Sequence, residues 1–263
     1  MKLPACTLIA VSLLPLPAIA ADKPDSVEAA PKPAQHNRHA ARRIMLENAE
    51  GASVTLWKPD LTRQPLTLTQ GGFALRGSGM DNYHAIVVER AWGDSKESLI
   101  RYEYLFGRPS KHSPRELAGA VKTDLEIAPD PIPREHYRYY SDQTWGFQLR
   151  MHGLPAAGVP LTLRTQNGTT LEAVSDDTGR VAFHLPDDFP DVVSGHRDTR
   201  SAAFTISAEK RESGIAYHTT LAADYHLNPT HWQSTPLGML AAGFGLLAGG
   251  LIGRVKSTEA KPA

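Results

Sequence analysis

The chain has 263 residues, and its 28 lysine and arginine residues balance 28 aspartate and glutamate residues. A hydrophobic content of 41% and a charged content of 21% are typical of a folded protein and exclude a disordered or collagen-like chain. The zero net charge argues against a nucleic-acid-binding protein, which would need a basic excess or patch to neutralise phosphates.

Residues 1–20 have the pattern of a signal peptide. Lys2 precedes a short apolar run over residues 8–16, and Ala18 and Ala20 form a small-x-small cleavage site. The alternative is an uncleaved membrane anchor, but prolines interrupt the run and it is short for a span. We expect cleavage after Ala20. The single cysteine lies in the removed segment, so we expect no disulfide or thiolate metal site in the mature chain.

Residues 21–43 are rich in alanine, proline, lysine and aspartate and lack an apolar period, which predicts a flexible linker. Residues 44–132 contain short runs rich in β-branched and aromatic residues between turn clusters, which predict a first β domain. The strongest of these runs are Ala52–Trp57, Tyr83–Trp92 and Leu99–Phe106. The proline-rich stretch at 129–133 cannot continue a sheet, so we place the domain boundary there.

Residues 133–232 predict a second β domain. Apolar side chains alternate over 159–163 and again over 181–185. Asn167-Gly168 suits a tight hairpin turn, and Asp176–Gly179 supplies the next turn. With three further candidate strands, this region predicts a small β-sandwich of about six strands.

Residues 235–253 form a 19-residue stretch without a charge. At about 1.5 Å per residue, a helix of this length spans about 28 Å, close to the thickness of a hydrocarbon core. Arg254 and Lys256 follow it, so the positive-inside rule places the tail, residues 254–263, in the cytoplasm. The fold class is therefore mainly β, with two small β-sandwich domains followed by one C-terminal transmembrane helix. We expect a single-pass protein of a bacterial inner membrane with its bulk in the periplasm.

Within this span, Gly245, Gly249 and Gly253 recur at a spacing of four residues. Small residues on one face let a second helix approach closely, which predicts packing with another copy or with a transporter subunit. The alternative is a weakly hydrophobic anchor whose glycines have no specific role.

Two passages, Gly158–Leu163 and Ser175–Phe183, resemble the carboxypeptidase regulatory-like, transthyretin-like sandwich. Gly107–Ser110 and Leu125–Pro129 are similar to stretches of periplasmic nickel- and cobalt-uptake components, which often end in a membrane anchor. The resemblance implies a membrane-anchored accessory protein that handles nickel, cobalt or copper near a transporter. Relatives of this kind usually begin their mature chain with a histidine, whereas Ala21 follows the predicted cleavage site here, so no N-terminal metal ligand is carried over.

The chain has 11 histidines, and imidazole suits nickel, copper, cobalt and zinc. The candidate metal ligands are His218, His226 and His231, which lie just before the predicted span. In one strand, His218 and His226 share a face but are about 26 Å apart, so they chelate one ion only if the chain turns near 222–224. The alternative is a set of separate, solvent-facing imidazoles.

Aromatic residues cluster over 137–145, at Tyr137, Tyr139, Tyr140 and Trp145. They predict either a partner-binding patch or alternate rings in the core, and we favour the core.

We expect no enzyme, because the metalloprotease, nucleophile-elbow, phosphate-loop and dinucleotide motifs are missing. The first functional hypothesis is a periplasmic accessory or binding protein. The second is a structural or assembly module that uses its sandwich and its glycine-rich span without metal. An exported hydrolase assembled from distant residues is a third alternative.

Overall fold

The computed structural model describes residues 41–133, 138–234 and 239–240. These residues form sixteen β-strands and two short helices, so the chain is mainly β, as predicted. The first half contains β1 (Arg42–Met45), β2 (Ser53–Trp57), β3 (Arg63–Leu66), β4 (Gly72–Leu75), β5 (Met80–Trp92), β6 (Ser95–Leu105), β7 (Arg108–Pro109), α1 (Pro114–Gly119) and β8 (Leu125–Pro129). The second half contains β9 (Tyr139–Tyr140), β10 (Thr144–Met151), β11 (Leu154–Pro155), β12 (Pro160–Thr165), β13 (Thr170–Val174), β14 (Arg180–His184), β15 (Ser201–Glu212), β16 (Ile215–His226) and α2 (Pro229–Trp232).

One long sheet contains strands from both halves of the chain, in the order β13-β12-β15-β16-β6-β5-β2-β3. The halves join where β16 pairs in parallel with β6, over residues 216–222 and 95–101. The two predicted β units therefore share a sheet.

The predicted boundary at residue 132 does not separate the strands as the sequence suggested. Strand β8 lies before that boundary, but it pairs with β10 of the second unit, with Ile127 opposite Leu149. Leu125 and Ile127 are buried in the core of the second unit. The prolines end β8 rather than a domain, because Pro129 is its last residue.

A second sheet of β11, β10, β14 and β8 covers one face of the long sheet. Phe147 and Leu149 of this sheet pack in one core with Leu163, Phe204 and Ile206 of the long sheet. All five side chains are 1% exposed or less. The two packed layers form the β-sandwich that the alternation of residues 159–163 predicted.

At the other end, both faces of β5 are covered. Ile86 and Val88 pack under Phe73 of the β1–β4 pair. Their neighbour Val87 points to the opposite face, since successive side chains alternate in a strand, and it packs against Leu117 of α1. The two ends of the long sheet therefore have separate cores.

Several of the predicted segments lie at the edges of the described residues or outside them. β1 begins at Arg42, inside the range predicted as linker, because Ile44 is buried against Phe73. The predicted signal peptide, the cytoplasmic tail and the span at 235–253, except residues 239–240, lie outside the described residues. Within the described part of the chain, no helix is long and apolar enough to cross a membrane.

Candidate ligand-binding cleft

The long sheet forks between β6 and β16. The parallel pairing of these strands ends at Arg101 and Ala222. Beyond that point, β16 pairs with the short strand β9, while β6 continues beside β5 as far as Leu105. The diverging strands leave a cleft of about 280 Å³, which we call the fork cleft.

Five aromatic side chains line this cleft, and we call them the aromatic wall: Tyr83, Tyr102, Tyr104, Phe106 and Tyr139. The rings of Tyr83 and Tyr104 meet edge to face with their centroids 5.3 Å apart, and Tyr104 meets Phe106 at 5.4 Å. Tyr104 is held in place because its hydroxyl donates to Asp81 Oδ2 at 2.8 Å. Phe106 is 61% exposed, so the wall presents an apolar ring to solvent.

The hydroxyls of Tyr102 and Tyr139 are buried and have no hydrogen-bond partner among the described residues. Burial raises the pKa of both phenols well above the usual value, so both stay protonated.

Five polar or charged side chains also line the cleft, and we call them the polar wall: Arg101, Glu103, Asp224, Arg138 and His226. Arg101 donates from Nε to Glu103 Oε1 and from Nη2 to Asp224 Oδ2, each at 2.5 Å. Burial opposes the charge on Arg101, but Glu103 and Asp224 outweigh it and raise the pKa of the guanidinium.

The polar wall is neutral overall. Its two arginines balance its two carboxylates. Burial, with a contribution from Arg138, lowers the pKa of His226, so its imidazole is uncharged at neutral pH. The wall therefore offers donors and acceptors to a ligand without a net field.

A second cleft of about 410 Å³ lies at the opposite end of β16, near Lys96, Asp124 and Tyr217. Its polar groups are paired with each other. Lys96 Nζ lies 2.8 Å from Asp124 Oδ2 and 5.5 Å from the centroid of the Tyr217 ring. His152 bridges Asp124 and Glu212, with its ring nitrogens 3.4 and 3.0 Å from their carboxylates. Tyr217 is the one phenylalanine, tyrosine or tryptophan that lines this cleft, so it offers a ligand fewer aromatic rings than the fork cleft does.

The structure places the three predicted metal ligands in three different places. His218 lies on β16 with Nδ1 3.5 Å from Glu209 Oε2, and His226 lies at the fork. β16 is continuous from Ile215 to His226, so the chain does not turn between these two histidines. His231 lies on α2 with Nδ1 2.6 Å from Asp187 Oδ2. Among the described residues, no group of three or more histidine, cysteine, aspartate or glutamate side chains is placed to hold a metal ion.

The contacts of His231 were not foreseen from the sequence. Asp142 lies between two histidines, with Oδ1 3.2 Å from His184 Nε2 and Oδ2 3.6 Å from His231 Nε2. These residues come from three separate segments, and no local spacing connects them.

The remaining predicted site residues are the aromatic cluster over 137–145 and the glycines of the predicted span. Tyr139 and Trp145 pack edge to face in the core with centroids 4.8 Å apart, which confirms the favoured interpretation. Tyr140 is half-buried beside the His226 ring. Tyr137 and the glycines Gly245, Gly249 and Gly253 lie outside the described residues.

The aromatic wall was missed by the sequence analysis, although a signal for it exists. Tyr102, Tyr104 and Phe106 alternate along one predicted strand. This spacing places three rings on one face. It does not show whether that face is a core or a cleft.

Comparisons with protein-family models and with curated proteins found no match. Among solved structures, a Ca²⁺-stabilised adhesin with which an Antarctic bacterium binds ice is 16% identical with a TM-score of 0.27, over 74% of this chain and 44% of the adhesin. A two-domain fibronectin type III segment of chicken tenascin is 9% identical with a TM-score of 0.22, over 71% of this chain and 91% of the segment. The SGBP-B protein of the Bacteroides ovatus mixed-linkage glucan utilization locus, solved with a mixed-linkage heptasaccharide, is 12% identical with a TM-score of 0.19, over 72% of this chain and 64% of that protein. Nothing about the activity of this chain follows from likenesses at this level.

Proposed function

We propose that this chain is an exported, membrane-anchored, non-catalytic binding protein, and that the fork cleft is its ligand site. The observation that supports this proposal is the fork itself. Two strands separate in the middle of the long sheet and leave a cleft that is lined by aromatic and by polar side chains. Concave sites with apolar walls and a few convergent polar groups are the usual form of small-molecule sites.

In this proposal the cleft lies at the end of the long sheet that is nearer to the predicted membrane span. β6 and β16 run parallel, and β16 ends at His226, eight residues before Ser234. The predicted span begins at the next residue. A ligand held at the fork would therefore lie close to the membrane and to a transporter partner, as the first sequence hypothesis requires.

The polar wall suits binding better than catalysis. Arg101, Glu103 and Asp224 are paired with one another, which fixes them as orienting groups. Two described hydroxyl–histidine contacts resemble parts of a hydrolytic site: Ser78 Oγ lies 2.5 Å from His84 Nε2, and Thr144 Oγ1 lies 3.1 Å from His184 Nδ1, whose Nε2 lies 3.2 Å from Asp142 Oδ1. None of these residues lines the fork cleft, so neither contact belongs to the proposed ligand site.

A photoreactive benzoylphenylalanine at position 106 tests the proposal in cells that express the full-length chain. The matched control carries the same group at position 92, where Trp92 is 37% exposed at the other end of β5. We expect adducts, identified by mass, from position 106 but not from 92, and their loss when Tyr104→Ala is added. Equal labelling at both positions would contradict a ligand site at the fork.

Metal handling is a separate prediction from the sequence resemblance. It is tested by titrating the full-length protein with nickel, cobalt, copper and zinc by calorimetry. Saturable one-to-one binding, lost in His218→Ala, His226→Ala or His231→Ala, would make metal handling the leading function. Weak, non-stoichiometric heat would count against it.

The assembly-module alternative depends on the span. It predicts that Gly249→Leu abolishes association between membrane helices in a genetic reporter, while Phe106→Ala has no effect on partner binding. The fork-cleft proposal predicts that Phe106→Ala weakens ligand binding and that Gly249→Leu leaves it unchanged.

A further inference from the structure

We infer that the ligand of the fork cleft is a neutral glycan that lies with one sugar ring against the aromatic wall. This inference rests on the proposed function, because it names the ligand class of the same cleft.

The aromatic wall matches the apolar face of a pyranose. The C–H groups on one face of a sugar ring form a flat apolar surface, and an aromatic side chain provides a flat partner of similar size. Phe106 is 61% exposed, and Tyr104 beside it is fixed by Asp81 and by ring contacts on both sides. A rigid aromatic surface binds at a low cost in conformational entropy.

The polar wall matches sugar hydroxyls. Each hydroxyl both donates and accepts, and the wall places the donors of Arg101 directly beside the acceptors of Glu103 and Asp224. The side chain of Asp224 keeps 35% of its surface exposed, so it can accept from a ligand while it is paired with Arg101. Charge-assisted hydrogen bonds of this kind are stronger than neutral ones.

The balance of charge indicates a neutral ligand. Two arginines face two carboxylates, and burial lowers the pKa of His226 so that it adds no charge. An anionic ligand would meet Glu103 and Asp224, and a cationic ligand would meet Arg101 and Arg138. Neither finds a complementary field.

A proline-rich peptide is the other ligand class that aromatic grooves bind. Proline rings would fit the aromatic wall. A polyproline segment has no backbone N–H, however, so it donates to neither Glu103 nor Asp224, whereas sugar hydroxyls donate to both. The polar wall therefore favours the glycan.

The experiment uses the full-length protein in detergent and three neutral probes, cellohexaose, laminarihexaose and chitohexaose, with decaproline as a peptide probe. Binding is measured by calorimetry. We expect at least one hexasaccharide to bind and decaproline not to bind. Phe106→Ala and Tyr104→Ala should each weaken glycan binding about tenfold or more, because each removes a stacking ring.

Two controls separate binding from folding. Trp92→Ala removes an exposed aromatic ring far from the cleft and should leave the affinity unchanged. Tyr104→Phe keeps the ring and removes the hydroxyl that donates to Asp81, so it should keep most of the affinity. Near-ultraviolet circular dichroism checks that each variant is folded.

The outcomes distinguish this inference from the proposed function. If no hexasaccharide binds, or if Phe106→Ala leaves glycan binding unchanged, the glycan inference is overturned. Decaproline binding that Phe106→Ala abolishes would overturn the glycan and still support the fork cleft as a ligand site. Absence of any cleft-dependent binding, together with equal photolabelling at positions 106 and 92, would overturn both.

Discussion

Arg101 Nη2 lies 2.5 Å from Asp224 Oδ2, and this ion pair crosses from β6 to β16 just where the parallel pairing of the two strands ends. Its second partner, Glu103, also accepts from Arg42 of β1 at 2.8 Å. The two ion pairs of Glu103 and the pair with Asp224 therefore tie β1, β6 and β16 together near the fork.

Replacing the buried cation should destabilise the fold. In Arg101→Met, Asp224 loses its arginine partner and Glu103 keeps Arg42 alone, so we expect the free energy of unfolding to fall by about 2–4 kcal/mol. Asp224→Asn keeps the shape and leaves Glu103 on the arginine, so we expect a loss of about 1 kcal/mol. Urea unfolding of both variants measures the difference. Equal stabilities would show that the ion pair does not stabilise the fork.

We expect the free energy of unfolding to fall at acidic pH, because His84 is protonated more readily in the unfolded chain than in the folded one. This side chain is fully buried, its Nδ1 lies 3.0 Å from the carbonyl oxygen of Asn82, and burial lowers its pKa. His84 therefore binds a proton at a higher pH in the unfolded chain than in the folded chain. Its contribution to the free energy of unfolding is fully present above pH ~6.5 and is lost as the pH drops towards the folded pKa. His226 shifts in the same direction.

Urea unfolding at pH 7.5 and at pH 5.0 tests this dependence. His84→Gln should reduce the stability lost on acidification, whereas the same change at the exposed His196 should not. A loss of stability that is the same in the wild type and in His84→Gln would assign the acid sensitivity to other groups.

Two turn glycines should respond differently to alanine. Gly168 has φ +102° with open space around it. Gly179 has φ +73°, and a Cβ there would lie 2.5 Å from the carbonyl oxygen of Leu149 and 2.9 Å from the backbone nitrogen of Ala156. We expect Gly168→Ala to cost about 1 kcal/mol for its backbone conformation alone. Gly179→Ala should cost clearly more, because backbone atoms must move. Thermal unfolding compares them, and similar melting temperatures would contradict the steric argument.

The buried ion pair between Lys122 and Glu126 of β8 should stabilise the fold, so removing one partner should lower the free energy of unfolding. The Lys122 side chain is 0% exposed and that of Glu126 is 1% exposed, with Nζ 2.6 Å from Oε1. Glu126→Gln removes the counter-charge of the Lys122 ammonium and of Arg150, whose Nη2 lies 3.2 Å from Oε1, and we expect a loss of about 3 kcal/mol. Lys122→Met with Glu126→Leu removes both charges and should recover part of this loss. A double-mutant cycle in urea gives the coupling, and additive losses would show that the pair is not coupled.

Much of the strand framework was predictable because its signals are local. Alternation over residues 159–163 located β12, and positive-φ glycines formed the predicted turns at Gly168 and Gly179. Tyr139 and Trp145 proved to be core residues, as favoured. Each of these features depends on neighbours within a few residues, so the order of the side chains was enough.

The fork could not be predicted in the same way. It exists because β16 pairs with a strand more than 100 residues earlier and then leaves it for β9, and because β8 crosses to the second sheet. The residues of the fork cleft, from Tyr83 to His226, are close only after these pairings form. Local composition thus specified strands, turns and buried faces, whereas long-range pairing decided which faces remained open, because the pairing of distant strands depends on the packing of the whole sheet rather than on any one segment.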